Sequence, residues 1–222
     1  MLHKTRGIVF RFTRYGETSI IVTIFTELFG LQTYIVNGVR SKSAKGQIAL
    51  YQPLMLLDLV VYHKENANIL RIKEVKCFHQ YASLLTDIRK SSQALFLNEI
   101  INKAIKEQSH AQDICSFLFD SFEVLDRLTA NYENFHLIFL IKLSRFLGFG
   151  PHQSHELLMG RVLDVKEELI LQQMLQADYT EIIPVTSSQR RNILDLLIRF
   201  YADHVENLGE VRSIQILREV LE

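Results

Sequence analysis

Through the first 80 residues, apolar side chains come in short runs broken by glycine, proline and asparagine. Thr5–Thr13 is rich in β-branched and aromatic residues, and Gly16 marks the turn that follows. Thr18–Thr26 carries the strongest strand pattern in the chain and stops at Gly30. Leu31–Val36 alternates, with Leu31, Thr33 and Ile35 on one face and Gln32, Tyr34 and Val36 on the other. Pro53 opens a further strand, Leu54–Lys64, and Asn66-Ala67-Asn68 makes a hairpin turn into Ile69–Phe78. Strict alternation in that last strand sets Ile69, Arg71, Lys73 and Val75 against Leu70, Ile72, Glu74 and Lys76. Five short strands with no room for crossover helices predict a small antiparallel barrel of the OB type.

From Asp87 the period becomes helical. Leu97, Ile101, Ala104 and Ile105 form one stripe, and Ile114, Phe117, Leu118, Leu125 and Leu128 another. Phe135–Leu147 is apolar nearly all round, which predicts a central buried helix ending at Gly148-Phe149-Gly150-Pro151. Thr186 and Gln189 have capping-box spacing ahead of the stripe Ile193, Leu196, Leu197, Phe200 and Tyr201. Residues 152–165 are the least regular stretch. The predicted class is α+β multidomain: an N-terminal OB-fold barrel over residues 1–80, then an all-α helical domain over 81–222, with no zinc ribbon.

Charge divides the chain at the same place. The 222 residues are neutral overall, yet residues 1–80 hold 11 Lys and Arg against 5 Asp and Glu, and the remainder is acidic to the same extent. A basic barrel beside an acidic partner is an electrostatic footprint of polyanion binding. No apolar run reaches the ~20 residues of a membrane span, and the N-terminus has no signal-peptide pattern, so the expected location is the cytoplasm. Cys77 and Cys115 stand apart, which argues against a structural zinc and reads as two small buried apolar residues.

Enzyme signatures are missing: there is no G-x-G-x-x-G, P-loop or G-x-S-x-G. His152, His155 and Glu156 cluster just beyond a helix stop, where a solvated loop is the preferred reading over a metal site. His204 reads as a satisfied, half-buried side chain, His136 as a polar contact at a helix start, and Glu167-Glu168 as a solvated acidic face. No cofactor is expected. The candidate nucleic-acid contacts are Arg11, Arg14, Arg40, Lys42, Lys45, Arg71 and Lys73, interleaved with Phe12, Tyr15, Tyr34, Tyr51 and Tyr62. OB barrels meet single strands with cations along the phosphates and aromatics against the bases. For any one aromatic, barrel core is the competing and preferred assignment. Two other classes stay open: a general single-stranded RNA-binding OB protein, and an enzyme with an unseen site in the acidic half.

Several pieces, in order, resemble the RecO family of bacterial recombination mediators: Gly16-Glu17-Thr18-Ser19, Phe25-Thr26-Glu27 with Gly30, Gly38-Val39-Arg40-Ser41-Lys42, Gln52-Pro53-Leu54, Leu97-Asn98-Glu99-Ile100 and Leu147-Gly148-Phe149-Gly150. The resemblance implies a non-enzymatic DNA repair protein that binds single- and double-stranded DNA and anneals complementary strands. With RecR, such a protein helps load RecA onto DNA coated by single-strand-binding protein, whose acidic C-terminal tail it docks on the helical domain. The basic spots Lys103, Lys106, Lys142 and Arg145 are candidates to receive that tail. Two departures stand out. Many relatives carry a four-cysteine zinc insert after the Gly-aromatic-Gly turn, and here residues 152–165 look like a shortened remnant of it, without cysteine. Asn37 stands where relatives often have a cation, although Arg40 and Lys42 keep the loop basic.

Overall fold

The computed structural model describes residues 1–41, 44, 46–65, 67–106, 110–158 and 164–221. Lys42, Lys45, the Asn66 of the expected hairpin turn and residues 159–163 of the expected remnant lie outside the described residues. The chain forms two compact units: Met1–Tyr81 with Lys106–Asp120, and Ala82–Ile105 with Ser121–Glu222.

The first unit is built on five strands, β1 (Leu2–Tyr15), β2 (Ser19–Thr26), β3 (Gly30–Val36), β4 (Leu56–Tyr62) and β5 (Leu70–His79). They close in the order β1-β2-β3-β5-β4, with β4 back on β1, which is the expected OB-type barrel. One ladder departs from the all-antiparallel expectation: β3 and β5 run parallel over Tyr34↔Leu70 and Ile35↔Arg71. The barrel interior is filled by alternate residues of every strand, among them Val9, Val22, Tyr34, Leu59, Val61 and Leu70. Gly7 is required where β1 and β2 approach, because a Cβ there would lie 2.7 Å from the Ile24 methyl and 2.9 Å from the Phe25 carbonyl oxygen.

Two bulges correct the simple alternation. On β1, Phe10 is the extra residue between the pairs Val9↔Ile24 and Arg11↔Thr23. Its ring therefore leaves the interior and stacks on Phe25 outside, with centroids 5.6 Å apart. On β5, Lys73 is the extra residue between Val61↔Ile72 and Val60↔Glu74. Ile72 and Val75, expected on opposite faces, consequently both pack against the core. β4 begins at Leu56 rather than Leu54, because Leu54 adopts φ 69°, a left-handed conformation that no strand continues.

Among the described residues, the second unit contains most of seven α-helices: α1 (Ile88–Ala104), α2 (Ala111–Arg127), α3 (Phe135–Phe146), α4 (Ser154–Leu158), α5 (Val165–Gln176), α6 (Ser187–His204) and α7 (Ile214–Leu221). α2 contributes to both units, its first part to residue 120 belonging with the barrel. The sequence signals for helix ends hold. Asp87 caps α1 by accepting from the backbone N–H groups of Arg89 and Lys90 at 2.8 and 3.1 Å. Thr186 and Gln189 form the reciprocal capping box of α6. α3 is the buried central helix, and it stops at Gly148 with φ 84°, where the N–H of Phe149 closes back on the Ser144 carbonyl at 3.0 Å. The stretch expected to be least regular contains α4 and the start of α5.

Candidate nucleic-acid interface

Cross-strand register sorts the barrel exterior into three regions. In the first, Ile8, Phe10, Phe25 and Leu56 point outward yet are fully buried. The first part of α2 covers them: the Cys115 thiol donates to the Phe25 carbonyl at 3.6 Å, and Phe119 packs edge-on against Phe78 at 5.3 Å. Cys115 is thus the buried apolar residue expected, its thiol pushed well up by burial and then by the nearby Glu27 charge. Cys77 is half-buried and donates to the His79 carbonyl at 2.9 Å.

In the second region, on β1, β4 and β5, the outward rows are Lys4–Val60–Glu74 and Arg6–Asp58–Lys76. Here the charges are matched. Arg6 pairs with Asp58 at 3.2 Å and lies over the Phe78 ring, and Lys73 pairs with Glu74 at 3.7 Å. Lys73 is therefore a bulged residue engaged by its neighbour.

The third region is the outer face of the second half of β1, β2, β3 and the start of β5. Its rows are Arg11–Thr23–Thr33 and Thr13–Ile21–Ile35–Arg71. No acidic residue occurs in β1, β2 or β3. Arg11 and Arg71 are exposed, and among the described residues neither has an ion-pair or hydrogen-bond partner. Arg14 is exposed as well, but it pairs with the interior residue Ile20 and so belongs to the end of the barrel rather than its side. Strands 2 and 3 with the adjoining loops are the surface on which OB barrels hold oligonucleotides. The structure thus exposes Arg11 on β1 and Arg71 at the start of β5 on neighbouring outward rows, puts Arg14 at the barrel end and pairs Lys73 with Glu74.

Arg40 has a different role. Its guanidinium donates to the carbonyls of Gly16 at 3.1 Å and Ser19 at 3.5 Å, and its backbone N–H donates to the Thr18 carbonyl at 2.9 Å. Asn37 accepts from the Ser19 hydroxyl at 3.0 Å. The two residues tie the 37–40 segment to the β1–β2 turn, so Arg40 positions that turn. The aromatics divide as sharply. Tyr34 and Tyr51 are core, the Tyr51 phenol pushed up to about 12 by burial, and Phe12 packs against the same core. Tyr15 and Tyr62 are 53% and 48% exposed.

The cations expected to receive a peptide tail are occupied. Lys103 pairs with Glu99 at 3.0 Å and reaches the Glu210 carbonyl. Lys142 pairs with Asp178 at 2.9 Å beside the Tyr179 ring, and Arg145 donates to the Leu175 carbonyl. Lys106 is exposed and belongs to the barrel unit, the other three to the helical unit. Of the titratable groups read from the sequence, Glu167 and His204 differ from expectation. Glu167 is buried and accepts from the Asn192 amide at 2.7 Å, so it is no solvated face. His136 is wholly buried with Nδ1 3.2 Å from the Gln93 Oε1; burial, then the Arg190 charge, lowers it to about 3 and keeps it neutral. His204 is exposed rather than half-buried, and its Nδ1 is 2.8 Å from the Phe200 carbonyl while its ring stacks on Phe149. His152 and Glu156 are linked through the His152 N–H at 3.2 Å. Among the described residues no three His, Cys, Asp or Glu side chains converge as a metal site, and no helix is long and apolar enough to cross a membrane.

The fold and this face define a two-domain OB-barrel protein with a helical second domain, the barrel exposing a cationic face of the kind oligonucleotides occupy. Residues 1–81 match the family model described as Recombination protein O N terminal, and residues 85–167 match Recombination protein O C terminal. The chain is 31% identical to the DNA repair protein RecO of Bacteroides fragilis over 242 aligned positions, covering 100% of both chains. It is 30% identical to that of Azobacteroides pseudotrichonymphae over 242 positions, again with 100% of both covered. With that of Christiangramia forsetii it shares 31% identity over 238 positions and 99% of each chain. The chain belongs to the RecO family. It is a DNA repair and recombination protein and not an enzyme.

Proposed function

We propose that this chain binds DNA through its barrel, residues 1–80, and accelerates pairing of complementary strands by neutralising their phosphates. The observation that carries the reading is the acid-free outer face of β1, β2 and β3, with Arg11 exposed on it and Arg71 exposed at the adjoining start of β5, both unpartnered among the described residues. Arg14 extends the same positive region in this reading, and Lys42 and Lys45, which lie outside the described residues, are further candidate contacts from the sequence. Cations near both backbones lower inter-strand repulsion, and no bond is broken, so no catalytic residue is required. The family membership supports the remainder: cooperation with RecR in loading RecA, docking of the single-strand-binding protein's C-terminal tail on the helical domain 81–222, and work in the bacterial cytoplasm.

The test is annealing of two complementary oligonucleotides precoated with single-strand-binding protein, comparing wild type with Arg11→Ala/Arg71→Ala and with Lys42→Ala/Lys45→Ala. Acceleration by the wild type that falls in the first variant supports the face; a fall only in the second moves the site to the loop. Absence of acceleration, with or without RecR, overturns the reading. Competition between single-stranded DNA and RNA of one sequence then separates it from a general RNA-binding role.

A further inference from the structure

We infer that Tyr15 and Tyr62 are the base-stacking residues of this barrel and give it a binding mode for single strands that a duplex does not share; the inference rests on the DNA-binding reading above. Residues 1–80 hold nine aromatic side chains; Phe10, Phe25, Phe29 and Phe78 are engaged by other rings, and burial removes three more. Tyr34 and Tyr51 are 0% and 2% exposed, and Phe12 is packed on the core. Only the two remaining rings present a free face. Neither has a hydrogen-bond or ring partner among the described residues.

Their placement follows from register. Tyr62 pairs with Arg71 on β5, Arg71 with Ile35 on β3, Ile35 with Ile21 on β2, and Ile21 with Thr13 on β1. This is one continuous outward row with Tyr62 at its β4 end. Tyr15 projects on the same outer face of β1, two residues beyond Thr13. Four inter-strand steps of about 4.8 Å carry this row round the closed barrel wall from Tyr62 to Thr13, roughly 19 Å along the surface, and Tyr15 lies two residues beyond it. Between them lie Arg71 and two half-buried isoleucines, with Arg11 on β1 two residues before Thr13. A row with a ring at one end, a second ring two residues past the other, isoleucines in its middle and arginines within and beside it fits the chemistry of an unpaired strand: bases toward the rings and phosphates toward the guanidinium groups. In a duplex the base faces are already stacked on one another, so only the phosphates are available to this surface.

The experiment measures affinity for a short oligothymidylate and for a duplex of equal length at several salt concentrations. The proteins are wild type, Tyr15→Ala/Tyr62→Ala, Tyr15→Phe/Tyr62→Phe and Arg11→Ala/Arg71→Ala, each checked by thermal melting. The alanine pair should weaken single-strand binding by roughly 5- to 100-fold for each base unstacked, leave the duplex within about twofold and preserve the salt slope. The phenylalanine pair should bind single strands nearly as wild type does, because the ring face is kept. Equal loss on both DNAs, or no loss on the single strand, overturns the assignment. If the arginine pair changes neither affinity nor salt slope while the tyrosine pair loses single strands, stacking stands and the phosphate face falls. A wild-type protein that binds neither DNA overturns both.

Discussion

The barrel face and the helical unit use the same cationic side chains for opposite purposes. The outer face of β1, β2 and β3 carries no carboxylate, and among the described residues neither Arg11 on it nor Arg71 at the start of β5 has a partner, so both stay solvated. In the helical unit Lys103, Lys142 and Arg145 each reach a carboxylate or a carbonyl of another helix or loop, and Lys90 is buried outright. The first arrangement leaves positive potential for an external polyanion; the second spends it on holding elements together. A basic residue therefore marks a binding surface only when its own fold leaves it without a partner.

The largest effect expected lies in the helical unit. Both carboxylate oxygens of Asp126 accept from backbone N–H groups, those of Ala82, Ser83 and Leu84, at 2.9, 2.8 and 2.7 Å. Nearby, the Lys90 ammonium donates to the Ser83 hydroxyl and the Asp126 carbonyl at 2.6 and 2.8 Å. Asp126→Ala orphans the three N–H groups in a buried site and should lose about 3–5 kcal/mol in urea unfolding. A loss below about 1 kcal/mol would mean that water replaces the carboxylate.

Next is an acid dependence. Burial raises the Glu99 carboxyl, but the Ser213 hydroxyl and N–H, the Arg212 N–H and Lys103 outweigh it and hold the group down at about 2. A carboxyl lowered on folding stabilises the native state above its unfolded value near 4.5, and that contribution disappears as pH falls from there toward 2. Thermal melts across this range should show a loss of stability, about 1–2 kcal/mol once solvent screening is allowed for, that Glu99→Gln flattens. An unchanged pH profile in the variant would remove Glu99 as its origin.

On the barrel, Arg11→Ala/Arg71→Ala should leave the melting temperature unchanged and reduce the slope of log K against log salt by about 1.4–1.8, the contribution of two phosphates. A lower melting temperature with an unchanged slope would place these arginines with the structural cations. Arg40→Ala should do the reverse, costing about 1 kcal/mol of stability through the β1–β2 turn while the salt slope stays put. The smallest effect belongs to Lys142→Ala, whose partner Asp178 is largely exposed: at most about 1 kcal/mol, and no change in DNA affinity. A clear loss of DNA binding there would erase the contrast between the two regions.

Much of the architecture was legible in the chain. Alternation, glycine stops and the change of period after Asp87 gave all five strands and the longer helices, because burial of one face imposes periods of 2 and 3.6 directly on sequence. Bulges were not legible. Phe10 and Lys73 carry no local mark, since an extra residue is defined by what the partner strand does opposite it. The candidate site was half legible. Its charge was visible as a basic half, whereas the sorting of Arg40 from Arg11, or of Tyr62 from Tyr34, depends on register and burial across distant segments.

By itself the sequence determined an OB-type barrel, a helical second domain, helix ends such as Thr186 and Gly148, and a basic half beside an acidic one. These are properties of local pattern and composition, which act within a few residues. Only the tertiary structure decided which cations remain free. Freedom of a charge is set by whatever the rest of the chain places within a few ångströms of it, and residues as far apart as Ile35 and Arg71, or Gly16 and Arg40, meet only when the barrel closes.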